Sequence, residues 1–315
     1  FPDSTVAETV VSKVSHTIDL YLKLEEEINR KHRISKTVVN EWILHILSAE
    51  IEDILKPGND KDLMCNFIFQ IIKDRIQISD DTEEVKEVQI FIAVRRAYAN
   101  DDLAFLRYRL FKQYFGKLSD QTIDKVSDHF LEALHQFEAH FSYPLKDRIY
   151  NYINNQKVPF LILDDVLRKN KDQLSQLFSD QESLNLGILE ACNGRYKAVK
   201  GKVQRAIIRS IVFIFVTKAL FALFVEGAFE RFLYGRILWP SIVLNTLTPP
   251  ILMTLVGLFI QTPSRENSYR IMGKIDSILF DEQPNLDAPL ILRKKPSKTD
   301  PLLDALFLLL WFATF

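Results

Sequence analysis

The sequence predicts an all-α protein: an N-terminal helical cytoplasmic domain, then a multi-pass transmembrane helical region of at least two spans, with a third cut short by the chain end. Two observations lead there. Before residue 200 glycine is sparse, only Pro2, Pro57, Pro144 and Pro159 occur, and apolar residues recur at helical spacing. After Arg209 the long apolar runs begin, in Ile211–Val225, Leu238–Ile260 and Leu302–Phe315.

The N-terminal helices follow from periodicity and their end signals. Thr5–Arg30 places Val10, Val14, Ile18 and Leu22 close to a 3.6-residue period. Ser35 is a candidate cap for a helix to Leu55, which Pro57-Gly58 ends. Leu63–Ile78 contains an apolar run, Cys65–Ile72, that reads as strand or helix, and its flanking charges favour a helix. Thr82–Ala99 has acids in its first turn and Arg95-Arg96 in its last, which suits the helix dipole. Asp101 or Asp102 caps Leu103–Phe115, closed by Gly116, and Ser119 opens a helix through Phe141. Shorter helices are expected at Leu145–Asn154, Pro159–Lys169 and Asp172–Phe178.

Beyond Gly194 the composition changes. Residues 195–209 carry Arg195, Lys197, Lys200, Lys202, Arg205 and Arg209 and no acid, and lead directly into Ile211–Val225, thirteen of whose fifteen residues are apolar. Extended to Phe229, that segment approaches the roughly 20 residues a bilayer requires. Leu238–Ile260 has no formal charge, and its Pro249-Pro250 pair is expected to kink or break the helix. The expected organisation is an acidic helical domain over 1–194, a basic juxtamembrane segment over 195–209 and a transmembrane hairpin over 210–260. A cytoplasmic loop over 261–300 and the start of a third span over 301–315 complete it. The chain opens on Phe1 and stops inside an apolar run, so it reads as a fragment.

Charge supplies an orientation. The net charge of −1 conceals about −8 in the first 194 residues. Basic residues flank the hairpin at 195–209 and again at Arg265, Arg270 and Lys274, while Glu226–Ile237 holds only Arg231 and Arg236. By the positive-inside rule, the N-terminal domain faces the cytoplasm and Glu226–Ile237 the outside. The expected partners are the lipid bilayer, anionic headgroups along the basic segment, and a cytoplasmic protein. An acidic domain is a poor electrostatic match for nucleic acid.

Few residues stand out as chemistry. Lys218 lies eight residues inside the first span, roughly 12 Å deep, where a charge costs at least about 2.5 kcal/mol. Snorkelling to the headgroups explains it most simply, with Glu226 or Asp304 as alternative ion-pair partners. Asn245, Thr246, Thr248 and Thr254 surround Pro249-Pro250, and such residues either line a site in a broken helix or satisfy one another. Gly257 suits close helix approach.

Glu132-x-x-His135, between His129 and Glu138, has the spacing of a carboxylate-histidine metal pair, but no second such pair occurs and steps of three drift around the helix. It reads as an amphipathic helix, and no cofactor is expected. Arg95-Arg96-Ala97-Tyr98 and Arg107-Tyr108-Arg109 read as helix faces making ion pairs rather than as a nucleotide platform. Asp164-Asp165 is a weak acid pair, and two cysteines are too few for a disulfide framework or a cysteine-based zinc site. No catalytic motif, P-loop or dinucleotide fingerprint is visible. The sequence therefore favours a membrane-anchored interaction or regulatory protein. A transporter or channel component using Lys218 and a broken second span is the rival reading, and an intramembrane enzyme has the least support.

Overall fold

The computed structural model describes residues 4–56, 59–236, 239–259, 265–282, 284–293 and 311. The chain is all-α apart from two three-residue strands, and it packs as two units. The first holds the residues up to Leu161 and those from Ile278 onward; the second is Ile162–Ser277.

In the first unit, α1 (Ser4–Lys31) and α2 (Lys36–Leu55) pair through Tyr21, Leu24 and Ile28 against Trp42, Ile43 and Ile46. The first unit continues through α3 (Asn59–Ile72) and α4 (Glu83–Val94). Leu110 and Phe111 of α5 (Leu103–Phe115) and Phe130 and Phe137 of α6 (Ile123–Phe141) complete this core. Trp42 stacks on Phe137 with centroids 5.8 Å apart. Each such buried side chain contributes about 1.5–3 kcal/mol.

The helix ends show which polar residues act locally. Thr82 accepts from the Val85 N–H, and Asp102 accepts from the Phe105 N–H at 2.9 Å. Gly116 ends α5 at φ +78, a conformation that favours glycine. Ser35 occupies the N-cap position of α2, but its side chain makes no capping bond. Ser119 lies one turn ahead of α6, where its carbonyl accepts the Thr122 N–H.

The structure departs from the sequence reading in several places. Cys65–Ile72 is helical as expected, within α3, but the helix stops at Ile72 and a strand β1 (Ile76–Ile78) takes the place of its expected end. β1 pairs in parallel with β2 (Leu290–Leu292), in register Ile76↔Leu290 and Ile78↔Leu292. Residues 261–300, expected to be loop, hold β2 and the helix α12 (Arg265–Phe280). The two helices expected around Pro159 are one, α7 (Lys146–Lys169). Interior proline costs about 3 kcal/mol. Here Ile149, Ile153, Gln156 and Phe160, all buried at helical spacing, hold the turns on both sides of the proline. Tertiary packing outweighs local propensity.

Three arginines tie the first unit together. Arg95, in a π-helical turn (Arg95–Ala99) at the end of α4, donates to Asp101 and to Asp62, each at 2.6 Å. Asp62 also accepts from Arg109, which reaches Asp53. Arg107 donates to Glu41 and Glu138 and lies 4.3 Å over the Trp42 ring. Burial pulls the Arg95 pKa down, but Cys65, Asp101 and Asp62 more than offset this and its pKa is raised. These pairs join α2 to α6 across the bundle, so they are longer in range and more buried than surface pairing suggests.

Removing one partner of such a pair leaves an uncompensated buried charge. Arg95→Ala should cost about 3–5 kcal/mol in urea unfolding followed by Trp fluorescence. Removing the exposed Arg168, paired to Asp164 one turn away, should cost far less. Equal losses would contradict the role given to the buried network.

In the second unit, α7 leads through a short turn and α8 (Leu174–Ser179) to α9 (Gln181–Phe221). Asp180 caps α9, accepting from the Glu182 and Ser183 N–H groups, and these bonds with the Ser183 hydroxyl hold its carboxyl below the usual range. A π-helical turn (Ala222–Glu226) and α10 (Gly227–Tyr234) continue the same helical course. Residues 195–209, the basic segment, therefore lie in the middle of a helix. α11 (Trp239–Phe259) returns along α9, and α12 follows.

Candidate functional site

The feature that sets this chain apart is the hairpin of α9, α10 and α11. Residues Gln181–Leu233 form one helical course of 53 residues, the one helix among the described residues long and apolar enough to cross a membrane. Only 6% of its most apolar window is buried. A helix at the core of a soluble protein would be mostly covered. Here Phe213, Phe224, Leu244 and Phe259 are 69%, 75%, 71% and 82% exposed. The apolar helix Ile242–Gly257 of the return arm is shorter than a full span.

The arms meet along a narrow seam of small and polar residues. At Gly257, a Cβ would lie 3.0 Å from Ile207 Cγ2, so glycine sets the closest approach of the two helices. Nearer the turn, Ala222 and Ile242 are buried, and the Asn245 amide donates to Glu226 at 3.3 Å. This gives Glu226 a partner on the opposite arm, so it is not the ion-pair partner of Lys218. Lys218 is half-buried, with Nζ 5.7 Å from the Phe221 ring centre, and makes no ion pair among the described residues. Asp304 lies outside the described residues.

Pro249 and Pro250 do not break α11, which is continuous from Trp239 to Phe259. Proline removes the N–H that would serve the carbonyl four residues earlier. The carbonyls left without that donor are those of Asn245 and Thr246; the nearby hydroxyls bond other carbonyls, Thr248 donating to Leu244 at 2.7 Å and Thr254 to Pro250 at 2.9 Å. The polar residues around the proline pair therefore bond within the hairpin.

The basic segment divides by partner. Arg195 pairs with Asp165. Lys197, Lys200, Lys202, Arg205 and Arg209 are exposed on α9.

Other candidate groups are engaged elsewhere. Glu138 accepts from Trp42 and Arg107, His140 contacts Gln89, and His129 bonds the Lys125 carbonyl. Among the described residues no group of three His, Cys, Asp or Glu is arranged to hold a metal. Asp164 and Asp165 point to different arginines, Arg168 and Arg195. Cys65 and Cys192 are free and buried, and burial pushes the Cys65 thiol up to about 11, so little thiolate forms near neutrality. In the first unit a cleft of about 890 Å³ opens beside Arg95 and Arg109, floored by Phe91 and Phe137 and edged by Lys112 and Gln136. Sequence reasoning did not find this cleft, because its walls come from four successive helices, α3 to α6, whose packing no local pattern reports. The chain matches no known family model, no curated protein and no solved structure.

Gly257→Leu should overpack the seam and lower hairpin stability by about 1–3 kcal/mol. Ile207→Ala in the same chain should restore much of the loss. Thermal unfolding of both variants in detergent checks this, and an additive double variant would contradict the contact.

Proposed function

We propose that this protein is a membrane-anchored interaction protein whose α9–α11 hairpin lies in a lipid bilayer and whose first unit engages a protein partner at the membrane surface. The observation that carries this reading is the exposure of the apolar hairpin: its large side chains face away from the protein while its backbone is bonded within helices. From Ile211 to Phe229 the first arm rises roughly 28 Å, close to a hydrocarbon core of about 30 Å. α11 forms the returning arm, its 21 residues rising about 31 Å. Glu230, Arg231 and Arg236 keep the turn polar, which suits a turn in the far headgroup region.

Flanking charge supports the orientation. Lys197–Arg209 precedes one arm and Arg265, Arg270 and Lys274 follow the other, and by the positive-inside rule this supports a cytoplasmic side for both flanks. The buried arginine network gives the first unit a rigid frame around the cleft of about 890 Å³, whose apolar floor and charged edge suit a protein partner.

Alkaline carbonate extraction tests the anchoring. The full chain should remain with the membrane pellet, and a reporter inserted at Gly235 should be active only as an external fusion. Release into the supernatant would contradict the anchoring, and a reporter active only in the cytoplasm would reverse the orientation.

A further inference from the structure

Five cations of α9 are unusual for what surrounds them. Several arginines elsewhere, buried and exposed, are paired, among them Arg95, Arg107, Arg109, Arg168 and Arg270. Lys197, Lys200, Lys202, Arg205 and Arg209 are exposed and make no ion pair among the described residues; Arg205 reaches only its own helix, at the Gly201 carbonyl. No acid lies between Glu190 and Glu226, and Glu190 already holds Lys169. Lys197/Lys200, Lys202/Arg205 and Arg205/Arg209 are like charges at i,i+3 or i,i+4, an arrangement that destabilises a helix. The helix nevertheless runs through them unbroken.

Their placement around the helix narrows the reason. At 3.6 residues per turn, Lys202, Arg205 and Arg209 fall within about 60° of one another. Cys192, Tyr196 and Ile207, which meet Ser268, Asn267 and Gly257, occupy the opposite side. The three cations therefore project from the face that α11 and α12 leave uncovered. Continued along the helix, that same face becomes Val212, Val216, Leu220 and Leu223, all exposed. One face thus changes from cationic to apolar within a single turn, between Arg209 and Val212. Lys202 to Arg209 spans about 10 Å, comparable to one headgroup layer of a bilayer.

We infer that Lys202, Arg205 and Arg209 form a phosphate-binding ridge for anionic phospholipid headgroups, set at headgroup depth by the apolar stripe that continues the same face. This rests on the bilayer location of the hairpin. The phosphate supplies the counter-charge that the protein itself does not, and it relieves the like-charge repulsion along α9. Arg205 and Arg209 offer planar forks that match phosphate oxygens, and Lys202 adds a point charge one turn closer to water.

The test uses the full chain in phosphatidylcholine vesicles titrated with fluorescent phosphatidylserine. Wild type should saturate at low mole fraction. Lys202→Gln/Arg205→Gln/Arg209→Gln should bind on the order of 100-fold more weakly. Lys36→Gln/Lys117→Gln/Lys125→Gln, which removes equal charge from the first unit, should bind like wild type. The ridge is overturned if its triple variant keeps wild-type binding, or if the control loses as much. Inorganic phosphate at matched concentration should not displace the lipid; displacement would mean a small-anion site and would also overturn it. Carbonate extraction separates the two readings. If wild type is released, the membrane location fails; if wild type and ridge variant both stay and bind equally, the ridge alone fails.

Discussion

Apolar side chains left in water forgo about 1.5–3 kcal/mol each, and among the described residues the α9–α11 hairpin exposes twenty-two large ones between Ile208 and Phe259. Even at half the lower value for partial exposure, the loss would be on the order of 15 kcal/mol, as large as the whole net stability of a typical domain. On the proposed reading, a lipid bilayer supplies those faces with an apolar solvent. The rest of the hairpin is consistent with one. Its backbone is bonded within helices, its arms touch through Gly257 and Ile207, and a cross-arm polar bond joins Asn245 to Glu226 near the turn.

The length of α9 follows from the same constraint. A helix that begins at an exposed Asp180 cap and continues past Ser210 into an apolar stripe changes its surroundings without changing its backbone. Its composition changes instead, from mixed polar, to cationic, to apolar. Lys218 sits within the apolar part, and its long stem and contact with Phe221 are compatible with a charge carried back toward the headgroups. In the first unit the organising force is different. An aromatic and aliphatic core is locked by arginines that bridge helices distant in sequence.

Much of the helical framework was legible in the sequence because local signals and tertiary structure agree there. The acids at the start of α4, the Asp102 cap and Gly116 all mark ends that the structure keeps. The misreadings share a cause. Pro159, Pro249 and Pro250 are strong local breakers, yet each lies within a continuous helix, and around Pro159 packed neighbours hold the turns. The π-helical turns at Arg95–Ala99 and Ala222–Glu226 add a residue to the helical turn and leave no compositional mark. β1 and β2 are too short for periodicity and meet from far apart in the chain. Of the candidate site, the charge and hydropathy were readable; the pairing of Glu226 with Asn245 and the face shared by Lys202, Arg205 and Arg209 required coordinates.

The central claim is that the uncovered faces of the hairpin lie in lipid. Single spin labels at Val212, Val216, Leu220 and Phe224 in the full chain, reconstituted into phospholipid vesicles, measure it directly. Labels in hydrocarbon collide with dissolved oxygen and are shielded from a water-soluble nickel complex. Oxygen accessibility should exceed that of the nickel complex at all four positions and should rise from Val212 toward the bilayer centre. High accessibility to the nickel complex along Val212, Val216 and Leu220 would place that face in water and contradict the claim.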